Sequence, residues 1–368
     1  MPTEYRVGVI GSSDRGNYGH GLDRVWLDIL NAEIIAVADD NPKGLKDAIG
    51  RLGNPKGYAD YREMLDKTKP DLISICPRWL DQHREMVLAA AESGVKGIYL
   101  EKPLCRTLRE ADEMIRVCED NKVKVAVAHQ TRYSPILQVV QEMIAEGKIG
   151  RVLELRGRGK EDHRGGGEDL WVLGTHVFNL IHQFGGEPEW CSATVLENDK
   201  PVEKNNVKLG KEGIGPLAGD PIRAMYGMNN GITAYFNSVR NAKGYPSRFG
   251  LMIYGSEGVI AMNTGFLPTV SWLPDSSWTP ARTGKEWIPV NSAGPGQAES
   301  LKDTGHQAGN ISAVLDLIAA VEDDRYPESS LLEARMAMEM IVSVFESHRL
   351  KRPVSFPLEN RENPLTLL

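Results

Sequence analysis

Apolar positions in the first third of the chain fall into short runs of strand length separated by stretches with helical spacing. Tyr5-Arg6-Val7-Gly8-Val9-Ile10, Glu33-Ile34-Ile35-Ala36-Val37-Ala38, Asp71-Leu72-Ile73-Ser74-Ile75-Cys76 (closed by Pro77), Gly97-Ile98-Tyr99-Leu100 and residues 123–128 read as strands. Helices are expected over 19–27, from Tyr61, over 82–93 with Gly94 as the stop, and over 108–121. Strict alternation of this kind predicts a doubly wound parallel sheet covered by helices on both faces, the α/β class. Past about Arg132 the rhythm changes. A helix over 136–146 and a turn at Gly147 and Gly150 lead into strand-like segments 151–157, 191–196, 222–228, 231–239, 249–254 and 258–262. Asn229-Asn230-Gly231 and Gly255-Ser256-Glu257-Gly258 are hairpin signals, so this sheet should be large, open and mostly antiparallel. Helices over 310–322 and 330–349 should pack on it. A chain of 368 residues is expected to hold two domains, placed at 1–131 (α/β) and 132–368 (α+β).

Charge narrows the function. Forty-three basic against 50 acidic residues give a net charge of −7 with no clustered basic face, which argues against a nucleic-acid partner. The chain enters its first strand without a charged-then-apolar leader, and no apolar run reaches bilayer length; a cytoplasmic protein without membrane attachment is expected. Cys76, Cys105, Cys118 and Cys191 lack paired metal spacing and read as buried thiols. A metal is not expected: His176 and His182 are six residues apart, which does not place two ligands on one helix face, and His163 with Asp162 does not complete a site.

Candidate chemistry sits at the strand ends. Gly11-Ser12-Ser13-Asp14-Arg15-Gly16 follows the first strand with dinucleotide-fingerprint spacing. Gly11 suits the tight turn and Gly16 close helix packing, while Ser13 stands where a second glycine is usual and offers a hydroxyl to a phosphate oxygen. The amides opening the helix over 19–27 would favour that negative charge. Asp39, ending the second strand, can accept bonds from ribose hydroxyls and repel a 2′-phosphate, which favours NAD; Lys43 and Lys46 keep NADP as the lesser reading. The structural alternative for Asp39-Asp40 is an Asx turn with Asn41-Pro42. Glu101-Lys102-Pro103 puts an acid and a proton carrier at the carboxyl edge, where doubly wound sheets bind ligands.

The order of these motifs resembles the glucose-fructose oxidoreductase, inositol dehydrogenase and MocA (Gfo/Idh/MocA) family over essentially the whole chain. The residues that carry it are Gly11 to Gly16, Asp39, Ile75-Cys76-Pro77 followed by His83, Glu101-Lys102-Pro103, Arg132, Gly147-Lys148-Ile149-Gly150 and Gly174-Thr175-His176. The resemblance implies a Rossmann domain carrying NAD or NADP, and a second domain that holds a sugar, polyol or related substrate and whose open sheet serves oligomerisation. A homodimer or homotetramer is the expected assembly. Trp272, Trp278 and Trp287, clustered in a Pro- and Gly-rich stretch after the sheet strands, are candidate interface residues.

By the same resemblance, Gly11, Ser12, Ser13, Arg15, Gly16, Asp39, Pro77, Trp79, His83, Glu101, Lys102 and Arg132 contact the cofactor. Lys102, Thr175 and His176 contact the substrate, with Lys102 and His176 catalytic, while His163 and Arg164 are substrate candidates from the polar loop itself, whose alternative is a solvated connection. The chemistry agrees: removing hydride from a carbinol carbon requires that the hydroxyl proton also leave, so a base must lie within reach. Lys102 beside a positively charged nicotinamide would hold its proton less tightly. The family's aspartates four residues before and three after the histidine are here Val172 and Asn179, which shifts proton transfer toward Lys102 or the polar loop 160–164 ahead of Gly165-Gly166-Gly167. Two other readings stand beside the dehydrogenase. One is an NAD-dependent glycosidase working by transient oxidation, elimination and re-reduction. The other is a cofactor-binding regulator without turnover, against which retention of Lys102 and His176 argues.

Overall fold

The computed structural model describes residues 4–242, 244, 247–302 and 305–368. The chain forms two compact units, one of residues 4–130, 211–215 and 305–335, the other of 131–210, 216–302 and 336–368.

The first unit is built on a parallel sheet of six strands, β1 (Tyr5–Ile10), β2 (Ala32–Ala38), β3 (Lys56–Tyr58), β4 (Leu72–Ile75), β5 (Gly97–Leu100) and β6 (Lys124–Val127), in the order β3-β2-β1-β4-β5-β6. Every residue of β4 and β5 is buried, as expected of strands covered on both faces. Helices α1 (Pro42–Arg51), α2 (Tyr61–Thr68), α3 (His83–Glu92) and α4 (Leu108–Asp120) connect the strands. Asn41, Asp60 and Thr107 start α1, α2 and α4 by accepting bonds from first-turn amides. Strand order reverses between β1 and β4, so the loops after these two strands diverge and open a crevice at the carboxyl edge.

The second unit begins with α5 (Pro135–Ala145) and carries an eleven-stranded sheet. Its strands are β7 (Val152–Arg158), β8 (Pro188–Glu197), the short β9 (Lys200–Pro201), β12 (Ile222–Met228), β13 (Thr233–Ser238), β14 (Gly250–Gly255), β15 (Val259–Asn263), β16 (Val270–Leu273), β17 (Ile288–Asn291), β18 (Gly294–Pro295) and β19 (Val354–Ser355); β10 (Lys208–Leu209) and β11 (Pro216–Leu217) pair separately. β7 and β13 are parallel and the other pairs antiparallel. Helices α6 (Gly167–Val172) and α7 (Gly174–Gly185) cover one face. The Phe178 ring lies 4.7 Å from Phe236 and 5.7 Å from Tyr226. A side chain at Gly157 of β7 would come within 2.5 Å of Val177, so the glycine lets α7 seat on the sheet. After the single turn α8 (Pro280–Thr283) come α9 (His306–Glu322) and α10 (Leu331–Leu350). The Tyr226 hydroxyl donates to the Met340 carbonyl at 2.9 Å and ties α10 to β12.

Three sequence expectations are corrected. The helix over 19–27 does not form: turns run to Arg24, followed by one 3-10 turn, Val25–Asp28. Asp14, Gly16, Asn17, Gly19 and Gly21 all hold positive φ, which an α-helix excludes and which this glycine-rich segment accommodates at low cost. The helix expected over 310–322 packs not on the open sheet but, as α9, on β5 and β6 of the first. Ala313, Val314 and Leu317 are fully buried there, and a side chain at Gly97 would stand 3.3 Å from Leu317. Periodicity marks an apolar face without saying which sheet it covers. Finally, Trp272 does not follow the last strand; it lies on β16, with β17 and β18 still to come.

Candidate active site

The first unit gathers its chemistry at the carboxyl edge of the parallel sheet. The Ser12 and Asn17 backbones bond each other in both directions, at 2.9 and 3.2 Å, and close a tight loop after β1. Gly16 (φ +97°) sits where a side chain would come within 2.3 Å of the Arg78 amide nitrogen. Asp39, 2% exposed, accepts from the Ser13 amide (3.1 Å), the Ser13 hydroxyl (2.7 Å) and the Asn41 amide (3.0 Å). The last bond is the Asx turn that the sequence left open. Ser13 thus spends its hydroxyl on Asp39 rather than turning it toward a phosphate, and with no α-helix after β1 the helix-terminus contribution to anion binding is absent from this loop. Gly44 of α1 leaves the room: a side chain there would meet the Ser13 hydroxyl at 1.8 Å.

Sequence reasoning missed Tyr18. Its ring lies where a side chain at Gly11 would stand, 2.2 Å away, and the Arg51 guanidinium covers the ring at 4.1 Å. Burial, then the Asp39 carboxylate, pushes the Tyr18 hydroxyl far above its ordinary range, so it stays a neutral phenol. Beside Asp39 a cavity of about 310 Å³ is lined by Gly11, Ser12, Asp40, Tyr61 and Arg62. The cavity has an acid on its wall and an Arg62 guanidinium 4.6 Å over the Tyr61 ring, features that suit the adenosine half of a dinucleotide.

Beyond β4, Pro77 and Trp79 turn toward the same loop: Arg15 pairs with Asp81 at 2.5 Å and covers the Trp79 ring at 5.2 Å. His83 is fully buried, with Nδ1 3.0 Å from the Leu104 carbonyl and Nε2 2.6 Å from the Pro77 carbonyl. Its ring, closed between these two carbonyls, links the loops after β4 and β5 through an N–H to one of them, so its bearing on a ligand is indirect.

Glu101 ends β5 with no exposure, and Lys102 beside it is 5% exposed. The carboxylate accepts from the His20 amide (3.2 Å) and faces His20 Nδ1 at 2.8 Å. Burial acts to raise the Glu101 carboxyl, but the His20 hydrogen bonds and the charge of Lys102 outweigh it and hold the group below its ordinary value. The approach needs glycine before the histidine, since a side chain at Gly19 would reach within 2.4 Å of the carboxylate. Asn310 fixes the other side, donating to the His20 carbonyl (3.0 Å) while accepting from the Tyr99 hydroxyl (2.8 Å) and the Gln130 amide (3.2 Å). The Gly-His-Gly run was the available signal for His20; nothing local marks Asn310.

In the second unit Val172 ends α6, and Thr175, His176 and Asn179 lie on α7, with Val172, Thr175 and Asn179 buried and His176 partly exposed. Asp169, the nearest acid before the histidine, accepts from the Lys160 and Glu161 amides (3.1 Å each) and the Ser238 hydroxyl (2.6 Å). It anchors the loop ahead of α6, and burial pushes its carboxyl up against those bonds. Within that loop Glu161 is buried between Arg158 (3.1 Å) and Arg248 (3.0 Å). The Asp162 carboxyl is held down to about 2 by the hydrogen bond from Arg164, 2.6 Å away. His163, with its side chain 72% exposed, points out of this frame beside Asp162. Arg132 is half-buried in a short helical turn, Gln130–Tyr133. Among the described residues no group of three or more His, Cys, Asp or Glu side chains is placed to hold a metal, all four cysteines are buried and free, and no helix is long and apolar enough to cross a membrane.

Comparison with known proteins places this geometry. Residues 5–129 match the oxidoreductase family with an NAD-binding Rossmann fold, and residues 137–261 match the GFO/IDH/MocA C-terminal domain. Levoglucosan dehydrogenase of Pseudarthrobacter phenanthrenivorans is 28% identical over 252 residues, 62% of this chain and 64% of that protein, so the match spans a little under two thirds of the relative's length. Glycosyl hydrolase family 109 protein 1 of Akkermansia muciniphila is 26% identical over 44% of this chain and 36% of its own. A solved levoglucosan dehydrogenase in complex with NADH and levoglucosan superposes with a TM-score of 0.76 at 23% identity, covering 96% of this chain and all of that one, and shares its fold. With both domain models matched in order, the chain belongs to the Gfo/Idh/MocA family of oxidoreductases, and its first unit is an NAD-binding Rossmann domain.

Proposed function

We propose that the protein is an NAD-dependent dehydrogenase that moves hydride between a secondary hydroxyl of a sugar, polyol or sugar derivative and the nicotinamide. The observation that carries the reading is the buried Glu101-Lys102 pair at the carboxyl edge of β5, in a Rossmann sheet whose adenosine-sized cavity lies past β1 and β2. Gly11, Ser12, Asp39, Tyr61 and Arg62 would hold the dinucleotide, which supplies the hydride acceptor. Lys102 takes the substrate hydroxyl proton as the carbinol hydrogen leaves. His176, on a rigid helix, orients the reacting hydroxyl or shares its proton, and Thr175 lies one residue before it. The sugar-acting relative supports the substrate class. Purified protein given NAD with a panel of anhydrosugars, aldoses and inositols should release stoichiometric NADH with at least one; a panel without NADH formation opposes the reading.

The match to a glycosyl hydrolase family protein favours one second reading, a redox glycosidase in which the sugar gives hydride to NAD, loses a now acidic neighbouring proton, expels its aglycone, adds water at the anomeric carbon and takes the hydride back. The two differ in one assay. A redox glycosidase releases p-nitrophenol from nitrophenyl glycosides without net NADH and exchanges a ring proton for solvent deuterium; the dehydrogenase accumulates NADH.

For the assembly, we infer a homodimer or homotetramer formed partly through the open sheet. The face of that sheet opposite α7 carries a cavity of about 690 Å³ lined by Arg156, Tyr235, Phe249, Met252, Tyr254 and Ser271. Trp278, held to the Gly255 carbonyl at 2.8 Å and 4.9 Å from Tyr254, stiffens its margin, while Trp287 is 39% exposed. An aromatic and arginine-rich face of this kind suits a second copy of the chain. Light scattering at micromolar concentration should give a mass at least twice 40.7 kDa, and a monomeric mass would refute the assembly.

A further inference from the structure

Around Lys102 the structure holds a set of ionisable groups that the proposed reaction does not use. Glu101 is fully buried, the His20 side chain is 29% exposed, and His306 at the start of α9 is exposed, its ring 5.2 Å from that of His20. These histidines line a cavity of about 360 Å³ with Arg24, Asp28 and Gln307, and the Gln307 amide donates to Asp28 at 2.7 Å. Partial burial and the neighbouring His20 hold His306 below its ordinary value, with Lys102 adding to this and Glu101 opposing it. Cys76 also senses Glu101; burial pushes its thiol well up, so it carries no charge.

We propose that His20 is a positioning residue for the reaction: its two N–H groups engage the Glu101 carboxylate, so that Lys102 feels a muted anion rather than a full ion-pair partner and can give up its proton. The inference rests on Lys102 being the base. An unengaged carboxylate beside a buried ammonium strengthens the ammonium's hold on its proton by a unit or more. An ammonium that never releases its proton cannot accept one from a hydroxyl. Bonding the carboxylate from His20 limits that hold without removing the anion. Two elements far apart in sequence maintain the arrangement, the 19–21 loop and the Asn310 turn of α9, which bonds the His20 carbonyl.

The test reads Lys102 directly. In protein labelled on lysine side chains and saturated with NAD, the Lys102 Nζ resonance, assigned by its loss in Lys102→Ala, is followed against pH by NMR. His20→Ala should raise the Lys102 midpoint by about one pH unit, and Glu101→Gln should lower it by about as much. His20→Gln, which keeps a neutral side-chain donor, should return it to near the wild-type value. A merely structural role for His20 would reduce stability or activity without opposite shifts. Midpoints unmoved by His20→Ala, or moved the same way by His20→Ala and Glu101→Gln, overturn the proposal. If Glu101→Gln does not fold, the contrast between His20→Ala and His20→Gln decides alone. Full turnover in Lys102→Ala is a different outcome: it removes Lys102 from catalysis while the NMR still decides whether His20 sets its proton affinity.

Discussion

Lys102→Ala is expected to lower turnover by about a hundredfold or more while leaving NAD affinity nearly unchanged. General acid-base catalysis is worth about that much, and removing a group that acts on the reacting proton lowers kcat and kcat/KM together. Two features make the separation sharp. Lys102 is 5% exposed at the end of β5, whereas the adenosine-sized cavity is built by the loops after β1 and β2 and by α2. Alanine leaves Glu101 in place with both His20 bonds, so the strand end should keep its form. The check pairs single-turnover kinetics with NAD titration calorimetry. Undiminished turnover on an authentic substrate would remove Lys102 from the chemistry, and an equal loss in NAD affinity would make it a binding residue.

Asp39→Ala is expected to weaken NAD binding by about tenfold or more and to narrow the preference for NAD over NADP. Asp39 is buried and takes three hydrogen bonds, two from Ser13 and one from Asn41. Each buried donor left without a partner costs roughly 1–3 kcal/mol, and about 1.4 kcal/mol is tenfold in affinity. The Ser13 loop, freed from its anchor, must then be ordered by the ligand. The charge acts separately, by repelling a 2′-phosphate. Asp39→Asn isolates that term, since it keeps an acceptor for Ser13 but loses the anion; it should relax cofactor preference with a smaller loss of NAD affinity. Equal affinities for NAD and NADP in the unaltered protein would contradict the assignment, and an Asp39→Ala variant that merely melts earlier would confine the residue to structure.

Much of this was legible along the chain because it follows from local patterns. Buried strands of four residues such as Leu72–Ile75 and Gly97–Leu100 announce themselves as short, nearly continuous apolar runs, and residues at their carboxyl ends inherit a place at the crevice. The hairpins at Asn230-Gly231 and Gly255-Gly258 followed from turn chemistry. What failed depended on contacts distant in sequence. Ser13 faces Asp39 instead of a phosphate because Gly44 leaves room for it. His83 looks like a ligand-facing residue until the carbonyls of Pro77 and Leu104 are seen on both sides of its ring. The segment 19–27 had enough apolar residues for a helix, yet five left-handed positions between Asp14 and Gly21 direct the chain otherwise. His20 and Asn310, 290 residues apart, share a hydrogen bond that no local window contains.

The placement of α9 has a consequence for biosynthesis. The strands β5 and β6 are complete once Val127 has been made, but the helix that covers them does not begin until His306. At roughly 5–20 residues per second, a ribosome needs on the order of ten to thirty seconds to deliver it. During that interval the sheet face carrying Gly97, Tyr99 and Ala126 lacks the cover of Val314 and Leu317, and the Tyr99 hydroxyl lacks its Asn310 acceptor. The nascent Rossmann sheet therefore exposes apolar surface that is prone to aggregate until α9 arrives. Native assembly of the cofactor domain is expected to wait for α9, and a chain ending near residue 130 should aggregate even though it contains every motif of the dinucleotide fingerprint, which sedimentation of the expressed fragment would show.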